Sequence, residues 1–141
     1  MRFNYLLLVL VLVLLGCKKP QVEPIENEVL VMVERSEMAE LMSEMYAFNE
    51  SIKQQIMDST LNATYPERFN KIHSAALTIA SDRDSNFESF SKLFLDAQKQ
   101  LFNEPQDNLT YRYNNAINAC ISCHSVTCVG PIPRIKKLLI K

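Results

Sequence analysis

The sequence predicts an all-α domain folded as an antiparallel up-down four-helix bundle. From about position 36 onward, apolar residues recur three and four apart, which is the period of a helix face and not of a strand. Only two glycines, Gly16 and Gly130, occur in 141 residues, so the tight hairpins of an all-β fold lack their usual turn residue. Clusters of Pro, Ser, Asn and Asp divide the periodic part into four runs of roughly 16 to 22 residues with short connections, the pattern of antiparallel helical neighbours. Apolar residues make up 48% and charged residues 22% of the chain, which excludes general disorder. A net charge of −1 argues against nucleic-acid binding driven by basic charge. Two glycines also cannot build a phosphate-cradling loop or a dinucleotide fingerprint.

The N-terminus reads as an address. Arg2 precedes an unbroken apolar run, Tyr5 to Leu15, of 11 residues. A membrane-spanning helix needs about 20, so the run has the form of a signal-peptide core. It closes in Leu14-Leu15-Gly16-Cys17, which resembles the bacterial lipobox, in which the chain is cut before a lipidated cysteine. The expectation is a signal peptide over 1–16, Cys17 as the lipid-anchored first residue, and a tether over 17–27 carrying Pro20 and Pro24. The helical domain then occupies 28–141. Lys18 after the anchor leans the expected location to the periplasmic face of the outer membrane, again by resemblance to the lipoprotein sorting pattern.

In the first helix Met38, Leu41, Met42, Met45, Phe48, Ile52 and Ile56 make one stripe, with Ser36 as N-cap. Residues 28–35 read either as an earlier turn or as an extended lead-in. Thr64-Tyr65-Pro66-Glu67 has the form of a capping box with proline in the first turn, and predicts a second helix to about Ala80 with Phe69, Ile72, Ala76 and Ile79 inward. Ser85-Asn86-Phe87-Glu88 is another such box and opens a third helix to about Phe102, its stripe formed by Phe87, Phe90, Phe94, Ala97 and Leu101; Pro105 stops it. Asp107 is the expected cap of the fourth, which runs through Leu109, Tyr113, Ala116, Ile117 and Cys120 to about Ser125. Gly130-Pro131-Ile132-Pro133 ends it, and a short last helix follows with Ile135, Leu138 and Leu139 on one side.

Near the end of that fourth helix stands Cys120-Ile121-Ser122-Cys123-His124, a CxxCH. On a helix the three ligating residues fall within an arc of roughly 100°. Two thiols can therefore add to the vinyl groups of one haem while the imidazole ligates its iron, the attachment pattern of haem c. Two other uses of these residues compete. A thiol–disulfide site usually sits at a helix N-terminus, where the dipole lowers the thiol pKa, whereas this motif closes a helix. A zinc site would draw on Cys120, Cys123, His124 and Cys128, but one short stretch of helix does not readily surround a tetrahedral ion.

With CxxCH late in the last of four helices, residues 30 to 126 resemble the class II cytochromes c, the cytochrome c′ and cytochrome c-556 group. The resemblance implies an arginine near a haem propionate, matched by Arg35, and a distal position about four residues later. That position falls on Ala39, where the family places Leu or Met. Bundle geometry independently brings the first helix's start beside the motif. Met38 and Met42, four apart on one face, are then the candidate distal ligands, with Met42 ahead and core filling as their ordinary use. His73, the other histidine, falls mid-helix and away from the motif. Cys128 remains unassigned, with a buried inert thiol as its plain reading and an intermolecular disulfide or redox-sensitive thiol as the alternative.

Charge is asymmetric: Glu23 to Glu50 hold eight acidic residues and one basic, whereas Asn108 to Lys141 hold five basic and none acidic. The basic tail suits haem propionates, with Arg134 the leading residue, or an acidic redox partner. No general acid–base constellation is evident. The expectation is a membrane-anchored monohaem cytochrome that carries single electrons and is not an enzyme. The alternatives are a five-coordinate haem protein binding NO or CO, and a non-haem helical lipoprotein.

Overall fold

The computed structural model describes residues 34–103 and 107–141. The expected signal peptide, Cys17, the tether, residues 28–33 and Pro105 lie outside them. The described residues form helices and no strand. We label the α-helices α1 (Glu37–Met57), α2 (Ser85–Gln100), α3 (Leu109–Val126) and α4 (Ile132–Ile135).

α1 begins where the stripe predicts. The Ser36 hydroxyl accepts the Ala39 N–H at 3.2 Å, so the first turn has its cap. Glu37 and Glu40 in that turn complement the helix dipole. Met38, Leu41, Met45 and Ile52 are buried from the predicted face, joined by Asn49.

The expected second helix is the main correction. Residues Glu67–His73 form a 3-10 segment, followed by irregular chain and a second 3-10 turn at Ala80–Asp82. Phe69 and Ile72 are buried as expected, but Ala76 and Ile79 are exposed. The backbone groups that would extend a helix are engaged elsewhere. Arg83 donates to the carbonyls of Ile72, His73 and Ala75 at 3.3, 2.7 and 2.7 Å. The Ala76 carbonyl accepts the Met38 N–H at 3.0 Å, and the Ala76 N–H donates to Glu37 at 2.9 Å. Thr64 supplies no cap; Pro66 takes the N-cap position without a side-chain bond.

Two further caps shift by one residue. Asp84, and not Ser85, accepts the Phe87 N–H at 2.8 Å, while Glu88 pairs outward with Arg83 and His73. Asn108 is the N-cap of α3 in place of Asp107; it holds a left-handed φ of 52°, which asparagine tolerates, and makes no side-chain cap bond. Asp107 instead pairs with Arg112, whose guanidinium also donates to the carbonyls of Gln100 and Asn103. The expected stop at Gly130-Pro131-Ile132-Pro133 lies beyond the end of α3, which already closes at Val126; the prolines instead begin α4, since proline's fixed φ suits a first helical turn.

Among the described residues there are therefore three long helices, with an irregular leg where the second helix was expected. That leg still runs back along α1: Leu61 and Ala63 pack against the core that includes Ile52, and the Ala76 carbonyl meets the Met38 N–H. α2 runs in the sense of α1, since Phe87 shares a core with Met38 and Leu101 shares one with Ile52. α3 returns, with Tyr113 and Ile117 beside Ile52 and Ala119 beside the Met38 core. The C-terminal segment 127–141 then folds back as a strap. Ile135 and Leu138 are buried, Lys53 donates to the carbonyls of Lys137 and Leu139 at 2.8 and 3.0 Å, and Asn114 exchanges two bonds with the Ile140 backbone at 2.8 and 2.9 Å.

Candidate haem-binding cleft

Two physical facts place the CxxCH motif. Its residues lie on the last turns of α3, inside a continuous helix, so the side chains project along one side. Behind them Ala119 and Ile117 are buried, and this orients the helix with Cys120 toward the interior. Cys120 is partly buried between both cores; Cys123 and His124 are half-buried further out.

In front of the motif lies a cleft of about 570 Å³, a size typical of cofactor sites. Met38, Ala39, Met42 and Tyr46 of α1 form one wall, and Phe87, Phe90 and Phe94 of α2 another. Cys120, Cys123 and His124 close the third side. The strap adds Cys128, Pro131 and Arg134 at the rim. Arg134 lies over the Tyr46 ring, its guanidinium carbon 3.8 Å from the ring centroid.

His124 has a defined tautomer. Its Nδ1 lies 2.8 Å from the Cys128 carbonyl oxygen, which can only accept, so Nδ1 carries the proton. In the neutral ring this tautomer leaves the lone pair on Nε2, the form of imidazole that ligates a metal. The Cys128 carbonyl reaches this position because α3 ends at Val126 and the chain turns back.

Burial pushes the Cys120 thiol up to about 12, and burial together with neighbouring Cys128 raises Cys123. Such thiols are poor thiolates at neutral pH, the opposite of what thiol–disulfide exchange needs. Among the described residues no three His, Cys, Asp or Glu side chains converge to hold a metal ion, which counts against the four-ligand zinc arrangement.

The structure thus brings Cys120, Cys123, His124, Met38, Met42 and Arg134 to one cleft. Arg35 is not brought there: it is exposed on the lead-in before α1. His73 is exposed too, with Nδ1 3.2 Å from Glu88 and 3.3 Å from Ser91. Cys128 is exposed at the rim with a free thiol, which corrects the expectation of a buried one. Sequence reasoning missed Tyr46, which reads as a polar-face residue of α1, and the Cys128 carbonyl, a backbone group without a sequence signal. The i, i+4 spacing of Met42 and Tyr46 was the available hint for the first.

Comparison of the chain with family models, with curated proteins and with solved structures returned no match.

Proposed function

We propose that this chain is a c-type haem protein that carries single electrons, with the haem seated in the cleft between α1, α2 and α3. The observation that carries the reading is the convergence on one apolar cleft of a CxxCH whose His124 presents a free Nε2. Cys120 and Cys123 would hold the haem through thioethers, His124 would ligate its iron, and Met42 or Met38, which also line the cleft, would be the candidates for a further iron ligand. When bound, the haem supplies the one-electron chemistry. The chain's own part is binding and insulation. Phe87, Phe90 and Phe94, which line the cleft, would exclude water from a bound haem, and the Cys128 carbonyl would fix the His124 ring orientation and raise its basicity. The class II cytochrome c resemblance is supported by the helical class of the described residues and by the CxxCH late in α3.

A second reading, a five-coordinate protein binding NO or CO, is favoured by one observation. Ala39 lines the cleft at the position where the resemblance places the distal side chain, and it leaves that wall open. The absorption spectrum separates the two readings. Protein produced with haem-attachment machinery is expected to give a low-spin reduced spectrum unmoved by CO. A high-spin spectrum that shifts with CO would assign gas binding instead, and a colourless product would remove both. We further propose that Cys17 anchors the domain by lipid on the periplasmic side of the outer membrane, where it meets a redox partner. Cys17→Ser is expected to move the protein from the membrane to the soluble fraction; persistence in the membrane fraction would place the anchor elsewhere.

A further inference from the structure

We propose that the end of the body packed around Ile52, Leu101 and Tyr113, where the strap finishes, is a docking surface for an anionic phospholipid bilayer. The surface is made of residues of the helical domain, so it goes beyond the lipid anchor proposed at Cys17 and stands without the haem reading.

Two large hydrophobic side chains stay exposed at this end, Met57 at 58% and Tyr111 at 75%. Their neighbours tie both to the strap's last residues. Ile56 and Leu109 pack against the same core as Leu139 and Ile140. Lys53, one turn before Met57, donates to the Lys137 and Leu139 carbonyls. Asn114, one turn after Tyr111, bonds to the Ile140 backbone in both directions. Met57 of α1 and Tyr111 of α3 therefore stand close to the strap's end, one on each helix that holds it.

The strap brings the charge. Ile135 and Leu138 are buried, which turns Lys136 and Lys137 outward, and both are exposed. Neither pairs with a carboxylate among the described residues. From Asn108 to Lys141 there is no acidic side chain, and Asp107 is taken up by Arg112. α1 contributes Glu50 and Asp58 on either side of Lys53, so the cationic excess is carried by the strap.

Apolar side chains beside lysines suit a bilayer surface better than a protein partner. Protein interfaces are enriched in Arg and depleted in Lys. A lysine stem, by contrast, lies along apolar surface while its ammonium reaches a phosphate. Tyr is a residue of the membrane–water boundary, with its ring in the apolar layer and its hydroxyl among the headgroups. No described helix is long and apolar enough to cross a membrane, so the contact is a surface one. It also lies at the end of α1 remote from Met38 and Met42, so lipid and the cleft's occupant do not compete.

The test combines the full chain with vesicles of phosphatidylcholine, alone or mixed with phosphatidylglycerol, whose acyl chains carry bromine. The chain has no tryptophan, so Tyr111→Trp supplies a single indole whose emission bromine quenches on contact. Quenching is expected with phosphatidylglycerol present, and high salt should reverse it. Lys136→Gln with Lys137→Gln should lower the ratio of docked to undocked domain roughly tenfold or more, since each lysine at an anionic surface contributes about fivefold. Met57→Ser should lower it as well, through lost apolar contact. Lys71→Gln, a charge change on the irregular leg, should leave it unchanged. Cys17→Ser should keep the dependence on phosphatidylglycerol, so the surface stands even where the anchor reading fails. Quenching that ignores phosphatidylglycerol, is absent from both vesicles, survives loss of the lysine pair, falls equally with Lys71→Gln or disappears with Cys17→Ser overturns the proposal. So does release of the domain by polyglutamate of equal charge, which would assign the lysines to an acidic protein surface.

Discussion

The same three long helices build both ends of the body, yet one end is filled and the other is hollow. At the filled end Ile52, Leu101, Tyr113 and Ile117 are all 0% exposed, and the strap adds Ile135 and Leu138. At the hollow end α1 offers methionines and α2 offers phenylalanines, and these side chains surround the cleft without filling it. A polar layer marks the boundary. Asn49 accepts the Tyr113 hydroxyl through its carbonyl at 2.9 Å and the Gln98 amide through its side chain at 3.2 Å. β-branched Ile and rigid Tyr suit a closed core, whereas unbranched Met adapts to a wall that must meet a ligand. Buried residues such as Leu41, Phe69, Ile72 and Leu95 also pack behind the cleft, so what distinguishes this end is the cleft and not the lack of a core.

Core truncation gives the sharpest break of this contrast. Leu101→Ala should lose about 2–5 kcal/mol, because a fully buried side chain leaves a cavity its neighbours cannot refill. Met42→Ala should cost about 1 kcal/mol in the haem-free chain, since its half-buried side chain already faces open space. Urea unfolding of both variants checks this, and equal losses would mean the hollow end is as tightly built as the filled one. In haem-loaded protein the ranking should reverse for the spectrum. Met42→Ala should convert low-spin to high-spin iron if Met42 is the ligand, and Leu101→Ala should leave the band positions unchanged.

Next in size is the boundary layer. Tyr113→Phe removes the bond to the Asn49 carbonyl and should cost about 1 kcal/mol at neutral pH. It also sharpens a pH prediction. Burial raises the Tyr113 phenol well above its ordinary 10, and burial together with Glu67 pushes Tyr65 up to about 12. Above pH 10 the unfolded chain therefore releases phenolic protons before the folded one, and stability falls as pH rises from 10 toward 12. Tyr113→Phe should flatten that alkaline fall in urea titrations at pH 9 and 11. An unchanged slope would assign the fall to other groups.

The smallest effect is expected at the mouth of the hollow end. Ser36→Ala removes the α1 cap and the bond to the Thr78 hydroxyl at 2.9 Å, and should cost about 0.5–1 kcal/mol. Hydrogen exchange should show the loss confined to the first turn of α1 and residues 76–78. A loss spread over α3 would show that the two ends are not energetically separate.

Local signals explain what was legible before the structure. Ser36 is a cap because its hydroxyl reaches an N–H three residues on, and the stripe of α1 follows from helix geometry alone. Pro131 and Pro133 suit the first turn of α4 for the same short-range reason. The segment from Pro66 to Ala80 carries equally good local signals and still does not form an α-helix. Its carbonyls are taken by Arg83 and Met38, partners 8 to 38 residues away in sequence. Propensity differences are tenths of a kcal/mol per residue and yield to several such bonds. Arg35 illustrates the same limit at the site: its spacing fits, but where its side chain lies depends on how α1 meets the rest.

By itself, then, the sequence determined the helical class, the span and exposed cap of α1, the extent of α3, and the presence of two thiols and an imidazole on one helical face. Each depends on neighbours within about one or two turns. Tertiary structure decided the irregular second leg, the arginine that reaches the cleft, the tautomer of His124 and the hollow left between Met42 and Phe90. The leg depends on Arg83 and Met38 capturing its carbonyls, and the His124 tautomer and the rim arginine depend on the strap folding back over α3, where the Cys128 carbonyl and Arg134 arrive by chain reversal and not by any spacing along a helix.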